Sequence, residues 1–144
     1  MPLNLLKMCV GVSEIDELAS RQQARILRLG EAGEPAKLRH VTRHMPRRSA
    51  DILEGGSLYW IIKGYVRVRQ RIVGIEQLEN EEGQSKCCLV LDPALVRTEL
   101  QPRRPHQGWR YLEHENAPAD LPIGEASHDM PEAMVAELRE LGLL

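Results

Sequence analysis

The feature that most constrains this fold is the alternating run from Tyr65 to Ile75. Period two puts Tyr65, Arg67, Arg69, Arg71 and Val73 on one face and Val66, Val68, Gln70 and Ile72 on the other. Such a run predicts a strand with one face toward a core. The apolar stretch Leu58 to Ile62 precedes it, joined by a turn or bulge at Lys63-Gly64. A polar turn over Asn80 to Gln84 follows, leading into a further strand at Lys86 to Leu91. Short connections of this kind predict antiparallel neighbours in one sheet.

The flanking segments add helices. Leu3 to Val10 reads as a central strand, with Leu3, Leu5, Lys7 and Cys9 on one face, and Gly11 ends it. Ser13 is placed as the N-cap of a helix running to about Leu29 and closed by Gly30, with Ile15, Leu18, Ala19, Ile26 and Leu29 as its core stripe. Arg21, Arg25 and Arg28 fall on another face, which reads as solvated. Leu38 to His44 is a second strand. Pro46 can start a short helix that Gly55-Gly56 stops. The proline-bearing stretch Pro102 to Pro122 shows no period and reads as an ordered arm, because it carries Trp109, Tyr111 and Leu112. The whole predicts an α+β fold, a mostly antiparallel sheet or small barrel with helices packed on one side.

A chain of 144 residues matches one domain and is long enough to bury a core without disulfides. Phe is absent, so that core must rest on Leu, Ile, Val and Met with few rings. The expected division is a single α+β domain over residues 1–122 and an acidic C-terminal tail over 123–144, ending in a helix from Asp129 to Leu143. Charge is uneven: residues 37–110 carry 14 Lys/Arg against 8 Asp/Glu, whereas residues 111–144 carry 1 against 8. A basic middle with an acidic end suits an anionic partner or self-shielding. No apolar run approaches the ~20 residues that span a bilayer, and the first ten residues lack the features of a signal peptide. Three cysteines, two adjacent, suit a reducing compartment. The expectation is a cytoplasmic protein with no membrane association.

Three features could carry binding chemistry. On the strand face, Arg67, Arg69 and Arg71 would lie ~7 Å apart, near the phosphate spacing of an extended single strand, with Tyr65 able to stack on a base. The same face also fits an ordinary solvated strand with its arginines paired to neighbouring acids. Around Pro46, Arg43, His44, Arg47 and Arg48 cluster where a helix N-terminus opposes cations, and an anion there would satisfy both. In the arm, Arg103, Arg104, His106, Trp109, Arg110 and Tyr111 interleave cations with rings. Gln70 is the one polar side chain on the inward strand face and needs partners. His40 and His44 share a face but lack a third ligand at a recognised spacing, and Cys87 and Cys88 point to opposite sides, so no metal is expected. No nucleotide-loop, nucleophile-elbow or metalloprotease motif occurs, and no cofactor is implied.

Leu5 to Gly11 (LLKMCVG), Gly55 to Gly64 (GGSLYWIIKG), Val68 to Ile72 (VRQRI), Leu91-Asp92-Pro93 and Arg103 to Leu112 (RRPHQGWRYL) resemble a family of short bacterial proteins known as a domain of unknown function. The resemblance covers residues 3–122 and implies a single domain in a cytosolic bacterial setting. It brings no activity, cofactor or catalytic residue. A second resemblance is to the PUA-like fold, a small barrel that often binds RNA or modified bases. It rests on a helix ending at Gly55-Gly56, the strand Leu58 to Ile62, Gly64, and the pattern Val66, Val68, Ile72 and Ile75.

The reading these features support is a binding module for nucleic acid, RNA favoured, or another phosphate-bearing ligand. Its residues would be Arg43, Arg47, Arg48, Tyr65, Arg67, Arg69, Arg71, Arg103, Arg104 and Trp109. One alternative is a small hydrolase or nuclease that sets His44 or His106 against Asp51 or Asp92. Another is a protein-interaction subunit engaging a partner through its acidic tail and final helix.

Overall fold

The computed structural model describes residues 2–35 and 37–121, so the expected acidic tail and terminal helix lie outside the described residues. Among the described residues, seven strands and two helices follow one another as β1 (Asn4–Met8), α1 (Ile15–Glu31), β2 (Leu38–Thr42), α2 (Ser49–Ile52), β3 (Ser57–Ile62), β4 (Tyr65–Glu79), β5 (Ser85–Leu91), β6 (Val96–Pro102) and β7 (Trp109–Leu112). A 3-10 turn spans His114–Asn116. The expected α+β architecture is what the chain adopts. The sheet order is β2-β5-β4-β3-β1-β7, with β6 pairing β4 off this path. Every strand pairing is antiparallel except that of β1 with β3.

The β3–β4 hairpin turns through Lys63 (φ 49) and Gly64 (φ 80), the two left-handed residues that a tight hairpin loop needs to match strand twist. Beyond Ile72, β4 leaves β3 and pairs with β5, whose turn at Asn80 is tied by Asn80 Oδ1 accepting the Glu82 and Gln84 N–H groups. Gly56 permits a close approach: a Cβ there would stand 2.1 Å from the Leu3 carbonyl oxygen. Ser57 then opens β3, its N–H held by Asn4 Oδ1 at 2.9 Å.

Two cores form on opposite faces. Leu3, Leu5, Leu58, Trp60, Ile62, Val68, Ile72 and Leu89 pack beneath Ile15 and Leu18 of α1. Leu6, Tyr59, Ile61, Val66 and Leu112 make the other, with Met8 and Ala117 against it. Each fully buried aliphatic side chain contributes ~1.5–3 kcal/mol. The helix therefore docks through its first half, while Ile26 and Leu29 are half-buried and Leu27 is exposed.

Several local expectations are corrected. Strict alternation in β4 fails because bulges interrupt it. Trp60 pairs Val68 but Ile61 pairs Val66, leaving Arg67 as the extra residue. Val66 and Val68 consequently serve opposite cores. A second bulge sits at Val73, between the Ile72–Leu91 and Gly74–Val90 pairs. Helix α1 starts after Glu14 with no side-chain cap, so Ser13 is not its N-cap, and it runs through Gly30 to close around Gly33. The helix after Pro46 begins only at Ser49 and is one turn long. β6 was not expected, and the arm after Pro102 contributes β7 to the sheet beside β1.

Candidate anion-binding cleft

The curl of the sheet brings together strands far apart in its order. β1 and β2 stand four places apart, yet Lys7 Nζ lies 2.7 Å from His40 Nε2. Lys7 shares a face with Leu5 and pairs in register with Trp60, so its side chain rises on the α1 side of the sheet. His40 shares the face of Leu38 and meets the Trp60 ring edge-on at 5.0 Å. Between these strands and α1 lies a cleft of ≈ 340 Å³.

Helix α1 supplies the far wall. Arg21 and Arg25 lie four residues apart on one face, and Gln22 turns inward. Arg21 Nη2 donates to the Gly11 carbonyl at 2.8 Å, and Arg25 Nη1 donates to the Arg39 carbonyl at 3.1 Å. Each guanidinium is thereby held in place with further N–H groups left over. Arg39 borders the cleft on β2, but its side chain alternates to the opposite face from His40 and pairs with Glu76 at 4.0 Å. Among the described residues, the lining holds Lys7, Arg21, Arg25 and Arg39 and contains no Asp or Glu.

Beneath the cleft lies a buried amide pair. Gln22 and Gln70 donate to each other, both at 2.8 Å. Gln70 Oε1 also accepts from Trp60 Nε1 at 2.8 Å, and its Nε2 donates to the Asp92 carbonyl at 3.1 Å. The buried amide of Gln70 is thus used up internally, and it holds the indole and the helix in register.

Burial shifts the titrating groups. It lowers His40, with Lys7 and Arg25 adding to the effect, to a pKa of about 4. The imidazole is therefore neutral at pH 7, and with Lys7 as ammonium the hydrogen bond runs from Nζ to Nε2. Burial also lowers the Lys7 pKa. It pushes the Cys9 thiol up to about 11, which makes Cys9 a poor nucleophile.

The residues singled out from sequence are dispersed. Arg67, at the bulge, is 3% exposed, donates from Nε to the Ile62 carbonyl and lies over the Tyr65 ring. Arg69 forks onto Asp120 at 2.7 and 2.6 Å and reaches Ser57 Oγ. Of the three strand arginines, only Arg71 is exposed. Arg48 pairs with Asp51 and Glu113 across the Tyr111 ring, and the helix that follows Arg43, Arg47 and Arg48 is one turn long. Trp109 donates from its indole to the His44 carbonyl at 2.7 Å and stacks edge-on against Tyr111. Tyr65, Arg103 and Arg104 do meet, around an open depression with Lys63.

The acids named beside the histidines are engaged elsewhere, Asp51 with Arg48 and Asp92 with the Ala94 N–H. His44 is exposed; the His106 ring nitrogens are buried with no hydrogen-bond partner among the described residues. Those residues hold no group of three His, Cys, Asp or Glu placed to bind a metal, and no helix among them is long and apolar enough to cross a membrane.

The sequence reading missed Lys7, Arg21, Arg25, Arg39 and His40 as a group. One signal was visible: Lys7 is the lone charge on the inner face of an otherwise apolar strand.

The family model of a protein of unknown function (DUF1489) matches residues 5–144. The chain belongs to that family. The match runs beyond the resembling segments and through the acidic end of the chain. No curated protein and no solved structure matches the chain.

Proposed function

We propose that this protein binds a small phosphate-bearing ligand in the cleft between α1, β1 and β2. The observation that carries this reading is the convergence of Lys7, Arg21 and Arg25 on one concavity whose lining, among the described residues, has no carboxylate. Like charges gathered without counter-charge repel, and a bound polyanion relieves that repulsion. The guanidiniums have N–H groups to spare, which suits forked contacts with phosphate oxygens. Cys9, Val12, Leu38 and Leu91 give the rest of the cleft an apolar wall. Its ≈ 340 Å³ falls at the small end of the ~300–1,000 Å³ typical of small-molecule sites, so a mononucleotide or sugar phosphate fits better than a duplex.

Nucleic acid enters this reading as a polymer offering one such phosphate. The strand face supports it less, since Arg67 is buried and Arg69 is held by Asp120. The PUA-like resemblance stays a proposal about the fold, supported by the bulges that bend β4 between β3 and β5.

The test is calorimetric titration with inorganic phosphate, pyrophosphate, AMP and short RNA across a salt series. An Arg21→Gln/Arg25→Gln variant is measured beside the wild type. Losing a charged hydrogen bond costs ~1.5–3 kcal/mol, so the variant should bind ~10-fold or more weakly. Wild-type protein that binds none of these at low salt would overturn the reading. RNA binding indifferent to Arg21 and Arg25 but lost in Arg71→Gln would move the site to the strand face.

A further inference from the structure

We propose that Lys7 is an amine nucleophile that captures phosphate-bearing aldehydes as an imine inside the cleft. This rests on the proposed phosphate site and names the class of ligand it would take.

The chain has four lysines, Lys7, Lys37, Lys63 and Lys86; Lys7 is half-buried and the other three are exposed. Its Nζ meets the neutral acceptor His40 Nε2 at 2.7 Å. A lysine serving only as a structural charge is ordinarily set against a carboxylate, which neutralises it and keeps it protonated. Here burial favours the free amine, the form that attacks carbonyls. With one N–H held by His40, the amine keeps a fixed orientation toward the cleft, and Arg21 and Arg25 stand ready to seat a phosphate on the same ligand. Anchoring by the phosphate turns the encounter of amine and carbonyl into an intramolecular event.

The step balances without any co-reactant. The Lys7 ammonium releases a proton to solvent. The nitrogen lone pair attacks the aldehyde carbon, a C–N bond forms, and the carbonyl π pair moves to oxygen, which gains a proton as the nitrogen loses one. The carbinolamine then loses its hydroxyl as water while the nitrogen gives up its proton, leaving C=N. The sum is amine plus aldehyde to imine plus water. A protonated imine keeps one N–H, which His40 Nε2 can accept. His40 is a positioning residue in this scheme, and its low basicity suits an acceptor that stays unprotonated at neutral pH.

The experiment treats the full chain with pyridoxal 5′-phosphate, reduces with borohydride and maps the adducts by peptide mass spectrometry. Reduction adds hydride to the imine carbon and fixes the ligand on its lysine. The three exposed lysines are internal controls. At neutral pH and low aldehyde, Lys7 should carry about tenfold more adduct than any of them, the order a modest phosphate anchor gives. Inorganic phosphate should compete, and unphosphorylated pyridoxal should lose the preference. His40→Leu should reduce Lys7 labelling, and His40→Gln, which restores an acceptor at similar reach, should recover it. Lys7 labelling no greater than that of Lys37, Lys63 and Lys86 would overturn the inference. If inorganic phosphate still bound in an Arg21- and Arg25-dependent manner, the phosphate site would survive that failure. Preferential labelling of Lys7 by pyridoxal and its phosphate alike would support the nucleophile and overturn the phosphate site. The wild-type adduct map decides these outcomes even if a His40 variant fails to fold.

Discussion

Acidification should destabilise this protein through His40, and the size of the effect follows from where that ring sits. Lys7 of β1 and Arg25 of α1 face it, Trp60 of β3 packs against it edge-on, and Arg39 flanks it on β2. The unfolded chain takes up a proton at this imidazole near pH 6.5, whereas the folded chain resists until about pH 4. Between those values the unfolded state binds more protons, so stability is full above about pH 6.5 and falls as the pH drops toward 4. Proton linkage with these two values puts the loss between pH 8 and pH 5 at ~2 kcal/mol, and partial exposure of the ring reduces it to about 1–2 kcal/mol. The assay is urea unfolding followed by fluorescence of buried Trp60 at several pH values, wild type against His40→Gln. Glutamine keeps an acceptor for Lys7 but does not titrate, so the difference between the two curves removes what the other histidines contribute. The wild type should lose about 1–2 kcal/mol more than the variant on going to pH 5. Parallel curves, or a variant that loses more, would refute the argument that burial keeps this ring neutral.

Gln70→Leu removes four hydrogen bonds at once and strands the Trp60 indole N–H and the Gln22 amide. Each buried orphan costs ~1–3 kcal/mol, so chemical denaturation should show a loss of at least about 2 kcal/mol; a neutral outcome would mean water already serves these groups. Arg69 holds the Asp120 carboxyl below its ordinary pKa, so their stabilisation should persist above about pH 4 and vanish as the pH falls through the lowered value. Asp120→Asn should therefore flatten the acid limb of the stability curve below pH 4, and an unchanged limb would place the acid-labile contact elsewhere. Cys9, raised by burial to about 11, and the buried Cys87 and Cys88 should all react with a thiol reagent well below the rate of a free cysteine. Rapid reaction at Cys9 in the folded protein would contradict its surroundings.

The parts of the fold legible in the sequence are those built from local contacts. β3, β4 and β5 are consecutive and joined by short turns, so period and turn chemistry suffice to place them. Helix α1 is legible from its stripe, but its ends are not, because Gly30 is accommodated within the helix and the chain turns at Gly33 instead. β7 is only four residues long and pairs with Asn4 to Lys7, at the other end of the chain. No local period could announce it among the prolines of the arm. β6 buries only Thr98, between half-buried Arg97 and exposed Glu99, so it shows no clear period and carries too few apolar residues to stand out.

The strand arginines do not form one open row, for the same reason that the cleft exists. Alternation assumes an uninterrupted ladder, and β4 has a bulge at Arg67 and another at Val73. Bulges bend a strand and increase its twist. The first turns Arg67 into the protein, where its Nε meets the Ile62 carbonyl, so the row of three guanidiniums is never presented. Together the bends curl the sheet enough for β2, its far member, to come back within hydrogen-bonding distance of β1. The groups that then converge come from β1, α1 and β2, three elements with unremarkable charge patterns of their own. A period-based reading finds residues that share a face of one element. It has no means of finding Lys7 and His40, which share a cleft only because a strand more than twenty residues further along the chain is bent.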